Sequence, residues 1–75
     1  MNKYVYAEAT QDYWPQIKTI EARSYNDAVD KIINKYFTQF DDDELLEYEN
    51  WDLFRDEMNS KYAIALSDIE IYEEL

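Results

Sequence analysis

SYNDAVDKIINKYFTQF, residues 24–40, is the stretch whose reading decides the fold. On a helical wheel Tyr25, Ala28, Val29, Ile32, Ile33, Tyr36, Phe37 and Phe40 form one apolar face. Asp27, Asp30, Lys31, Asn34, Lys35 and Thr38 take the other, at the i, i+3, i+4, i+7 spacing of an amphipathic helix. Ser24 and Asp27 make a capping-box-like start, the hydroxyl accepting from an early backbone N–H and the carboxylate answering the positive end of the dipole. With each large apolar side chain worth roughly 1.5–3 kcal/mol on burial, this face supplies much of the core.

Upstream, KYVYAEA (residues 3–9) alternates as a strand does, with Val5, Ala7 and Ala9 on one face and Tyr4 and Tyr6 on the other. TQDYWP (10–15) reads as a long connection, because Pro15 has no N–H for a ladder and pushes Trp14 toward an extended conformation. Gln16 to Ala22 is then the second strand of an antiparallel hairpin. Ile17 and Ile20 fall on opposite faces, so one of them should be only partly covered. The chain has no glycine, so its turns fall to Asn, Asp, Ser, Thr or Pro.

Downstream, one continuous helix over 42–60 would scatter Leu45, Leu46, Tyr48, Trp51, Leu53, Phe54 and Met58 around the whole circumference. Splitting it near Glu49 and Asn50 gathers Trp51, Phe54 and Met58 into one stripe flanked by Leu53, with Asn50 as N-cap. A short helical turn at 42–48 and a helix at 51–60 are predicted. In YAIALSDIEIY (62–72), Ile64 and Leu66 occupy even positions whereas Ile69 and Ile71 occupy odd ones. A parity change at Ser67 and Asp68 calls for a bulge or corner, and one bent strand is the expectation. The fold class is α+β: one domain, residues 1–75, with an antiparallel sheet of about three strands, two or three helices on one face, and the order β-β-α-α-β.

Seventy-five residues bury only a little over ~60% of the surface that the unfolded chain exposes. The absence of cysteine removes disulfides, zinc clusters and thiol chemistry, and suggests a reducing cytoplasm. No apolar run reaches the ~18 residues of a membrane span, and MNKYVYAEA lacks a signal-peptide core, so neither membrane nor secretion is expected.

The net charge is −11, and its distribution is lopsided. Residues 1–40 carry five bases and five acids; residues 41–75 carry thirteen acids against Arg55 and Lys61, which accounts for all of it. Thirteen aromatic residues beside this charge argue for a folded domain rather than an acidic tail.

With neither His nor Cys, the available bases are carboxylates and the nucleophiles unassisted hydroxyls, so no enzyme is expected. Asp41, Asp42, Asp43 and Glu44 do not fit a calcium loop, whose third ligand would fall on Leu45 and whose glycine on Leu46. No metal and no cofactor are assigned. The acids carry more information as a surface. Asp41, Asp42, Asp43, Glu44, Glu47, Glu49, Asp52, Asp56 and Glu57 lie within seventeen residues, and Glu70, Glu73 and Glu74 form a second group. Pairs such as Asp43 with Glu47 and Asp52 with Asp56 should lie one turn apart, roughly 5–6 Å between side-chain roots, a spacing like that of successive phosphates. This face would suit a basic nucleic-acid-binding groove on a protein partner, with a merely solvated acidic surface as the alternative. Direct nucleic-acid binding is disfavoured, since the chain would repel phosphates. Tyr4, Tyr6, Tyr13, Trp14 and Tyr72 are too many rings for so small a core. Most are expected as half-buried lids, with Trp14 as a candidate partner anchor.

Ile20-Glu21-Ala22, Ser24, Asp27-Ala28, Ile32 and Lys35-Tyr36 resemble the strand-to-helix passage of small phage- and plasmid-borne proteins of the DpnD/PcfM type. That resemblance implies a mobile-element origin. In size, charge and α+β build the whole resembles small acidic phage inhibitors of host defence nucleases, the anti-CRISPR and antirestriction proteins. No residue correspondence comes with that likeness. It implies an inhibitor in the host cytoplasm that blocks nucleic-acid binding by a defence enzyme. The resemblance does not say which enzyme, and a CRISPR effector is taken as the leading expectation. The alternative is a small regulatory or assembly module that binds a protein through its Tyr and Trp surface, its acids serving solubility. A bare strand edge could pair with a second copy, so a monomer or a homodimer is expected.

Overall fold

In the computed structural model, which describes residues 1–72, the helix read from the sequence is α1, Tyr25–Phe40. Ser24 Oγ accepts from Asp27 N at 3.2 Å, and Asp27 Oδ2 accepts from Arg23 N at 2.9 Å, so the side chain answers one residue earlier than in the usual capping box. Ala28, Val29, Ile32, Ile33 and Tyr36 are buried.

Two strands precede α1. They are β1, Asn2–Thr10, and β2, Tyr13–Ala22, paired antiparallel with Tyr4 opposite Ile20 and Ala7 opposite Ile17. The expected long connection is instead a two-residue turn, Gln11 and Asp12, and β2 starts three residues earlier than Gln16. Pro15 is accommodated because β2 is an edge strand and because the register slips there: Glu8 faces Gln16 while Thr10 faces Tyr13. Trp14 and Pro15 thus oppose Ala9 alone, a bulge at which a missing N–H costs no ladder bond.

After α1 the chain makes a 3-10 helix, Asp43–Glu47, capped by Asp42, and then α2, Trp51–Tyr62, capped by Asn50. Asn50 Oδ1 accepts from Asp52 N and Leu53 N at 2.8 and 3.2 Å. The predicted break is present, and Trp51, Phe54 and Met58 are the buried stripe. Leu53 is exposed.

Two short strands follow α2, β3, Ala65–Leu66, and β4, Glu70–Ile71, both antiparallel to β1. Glu8 faces Leu66 and Val5 faces Glu70, so Tyr6 and Ala7 oppose three residues, Ser67, Asp68 and Ile69. The expected bent strand is a strand interrupted by one extra residue, which carries Ile64, Leu66 and Ile69 into the core despite their different parity. Among the described residues the sheet therefore has four strands centred on β1, and the class is α+β as expected, with one strand more than the predicted order.

Contacts from β1 to the helices come from its even positions. Tyr6 meets Trp51 edge-on, with centroids 6.1 Å apart, and Glu8 accepts a hydrogen bond from Tyr36 Oη. Tyr4 and Tyr6 are buried core residues, not half-buried lids, because the helices cover the face of β1 that carries them, whereas Val5, Ala7 and Ala9 lie on the opposite, outer face. Burial and the Glu8 carboxylate push the Tyr36 phenol well above its ordinary range.

A candidate acidic interface

Two bases organise the acidic segment. Lys61 Nζ sits 2.6 Å from Asp42 Oδ2 and 3.2 Å from Glu44 Oε2, tying the C-terminal turn of α2 to the 3-10 helix. Tyr62 Oη also donates to Asp42, at 2.7 Å. Asp42 is therefore a structural acid: its side chain is 11% exposed, and the Lys61 and Tyr62 hydrogen bonds hold its pKa below the usual range while that of Lys61 is raised. Arg55 bridges Asp52 at 3.3 Å and Asp68 at 3.1 Å, and it donates to the Leu66 carbonyl. Glu57 accepts from Tyr48 Oη, which raises the Tyr48 pKa.

What is left over defines the surface. Of the nine acids between residues 41 and 57, Asp41, Asp43, Glu47, Glu49 and Asp56 are exposed and make no ion pair among the described residues. Glu70 is exposed on β4; Glu73 and Glu74 lie outside the described residues. The expected Asp43–Glu47 pairing changes with helix type. In a 3-10 helix positions three apart eclipse, so Glu47 shares a side with Glu44 rather than with Asp43. Asp52 and Asp56 do lie one α-helical turn apart, and of these two Arg55 pairs with Asp52.

Trp14 stands apart from this segment along the chain, on the bulge of β2. It is 89% exposed, with Tyr13 and Ile17 each 70% exposed beside it. The sequence marked Tyr13 and Trp14 as surplus rings and Phe40 as part of the apolar helix face, but nothing in it joins them to Tyr62; Phe40 and Tyr62 stack at 4.1 Å and join Tyr13 and Trp14 in lining one cleft. Only the tertiary approach of the hairpin end to the ends of both helices assembles that group.

Among the described residues no cluster of three or more metal-ligating side chains occurs, and no helix is long and apolar enough to cross a membrane. Compared with protein-family models, curated proteins and solved structures, the chain matches none.

Proposed function

We propose that this chain is a binding protein that occupies the basic nucleic-acid groove of a host defence enzyme, most readily a CRISPR effector, and blocks it by presenting acids in place of phosphates. The supporting observation is the set of five exposed acids without an ion pair among the described residues, Asp41, Asp43, Glu47, Glu49 and Asp56, beside a structural set that Lys61 and Arg55 hold. Unpaired surface acids repel one another and steer toward a positive partner. Capture from host lysate on the immobilised chain is the test. The proteins retained should be nucleic-acid-binding enzymes, released by excess duplex DNA and by raised salt. Retention indifferent to both would overturn the reading.

A second reading has its own observation. Trp14, Tyr13 and Ile17 expose far more apolar surface than the fold needs, which suits a regulatory or assembly module that docks through aromatic anchors. Trp14→Ala would then abolish capture while charge reversal would leave it intact.

A further inference from the structure

The cleft at the hairpin end has a volume of about 440 Å³, at the small end of ligand-sized clefts, about 300–1,000 Å³. Tyr13 and Trp14 line it from β2, and Phe40 and Tyr62 from the C-terminal ends of α1 and α2. Glu8 and Asp12 are its charged residues, and among the described residues no Lys or Arg lines it. Thr10 lines it too, and the buried Thr10 Oγ1 has no hydrogen-bond partner among the described residues.

Four aromatic rings and two carboxylates, with no base among them, make a site for a flat cation. We propose that this cleft receives an arginine side chain of the protein partner. The guanidinium stacks on the rings and donates to the carboxylates. Arginine fits better than lysine because a guanidinium is planar, weakly hydrated and carries five donors, whereas an ammonium is a compact, strongly hydrated point charge. Asp42 accepts from Tyr62 Oη, so the acidic segment begins at the rim of the cleft, and one basic partner surface can engage both. The inference rests on the reading of the chain as a binder of basic protein surfaces, and it adds the residue that anchors the partner.

The probe is a capped Gly-Arg-Gly peptide, titrated into the 15N-labelled chain, with Gly-Lys-Gly and Gly-Gly-Gly peptides as controls. Saturable shifts should centre on the amides of Thr10, Asp12 and Gln39 and on the Trp14 indole N–H, with the lysine peptide weaker and the glycine peptide silent. Trp14→Ala and Asp12→Asn, both at exposed positions outside the core, should each weaken arginine binding about two- to fivefold. Shifts confined to residues 41–57, or equal affinity for the lysine peptide, would overturn the arginine site. Either result leaves the acidic-surface proposal standing, because that one is read by DNA-sensitive capture.

Discussion

The indole Nε1 of Trp51 donates to the Ser67 carbonyl at 3.0 Å, joining the first residue of α2 to the bulge between β3 and β4. Ser67 is bound from both sides: its N–H donates to the Ala7 carbonyl at 3.0 Å, and its Oγ accepts from Ala7 N at 2.7 Å. The side chain stands in for the carbonyl that Trp51 has taken. This lets the strand gain a residue without orphaning the Ala7 amide.

Ser67→Ala should therefore cost about 1–3 kcal/mol in urea denaturation, since it leaves the Ala7 N–H without its acceptor. Trp51→Phe removes the indole donor while keeping a ring against Tyr6 and Phe54. The two substitutions share one network, so the double variant should depart from additivity by at least about 0.5 kcal/mol. Strict additivity would show that the bulge and the indole are held independently.

Two helices end in the left-handed region without glycine: Asp41 has φ 50° and Ala63 φ 55°. Asp tolerates this conformation through its short polar side chain, whereas alanine bears the full Cβ clash, roughly 1–2 kcal/mol. Ala63→Gly should raise the thermal midpoint by about 4–8 °C for each kcal/mol relieved. Asp41→Gly should gain less. Equal gains would remove the Cβ explanation.

How much of this was legible in the chain depends on whether a signal was local. Ser24, Asp27 and Asn50 announce their helix starts because a cap is set by neighbours within three residues. The parity change at Ser67 gave the bulge for the same reason. Pro15 misled, because its effect depends on whether its strand has a neighbour on both sides, and β2 has one. The burial of Tyr4 and Tyr6 was likewise set by distant elements, α1 and α2, that choose which face of β1 to cover. Of the acidic surface, the composition was plain, but which acids stay free was not. Lys61 reaches Asp42 across nineteen residues, a pairing no periodicity encodes.

Asp42 and Lys61 make the pH dependence specific. The folded pKa of Asp42 is lowered, so its stabilisation is present above the unfolded value of about 3.9 and is lost as pH falls through the lower folded value. That of Lys61 is raised, so its stabilisation is complete below about 10.4 and is lost as pH rises through the higher folded value. Asp27, lowered by the Arg23 amide, adds to the acid limb. The pair's contribution thus spans roughly pH 4 to pH 10 and fades at both ends. Asp42→Asn should show a smaller drop in thermal midpoint between about pH 5 and pH 2.5 than the parent chain. An unchanged drop would place the acid limb elsewhere.

The exposed acids of α2 give a test in which stability and binding move in opposite directions. Asp52 and Asp56 are like charges one turn apart, a pairing that costs a helix a few tenths of a kcal/mol. Asp56→Lys converts it into an attractive i, i+4 pair with the acid on the N-terminal side, the favourable order. The variant should therefore be more stable than the parent, by about 0.5–1 kcal/mol in urea. On the proposed function it should also bind its basic partner more weakly and with a shallower dependence on salt, because exposed charges act within about 8 Å at physiological ionic strength. Solubility alone gives no reason to keep a charge arrangement that weakens the helix, whereas a surface that imitates phosphates does. A variant that gains stability and retains full, salt-sensitive capture would remove Asp56 from the interface. The same substitution in a Trp14→Ala background then separates the two surfaces: independent sites lose affinity additively, and one continuous footprint loses less than the sum.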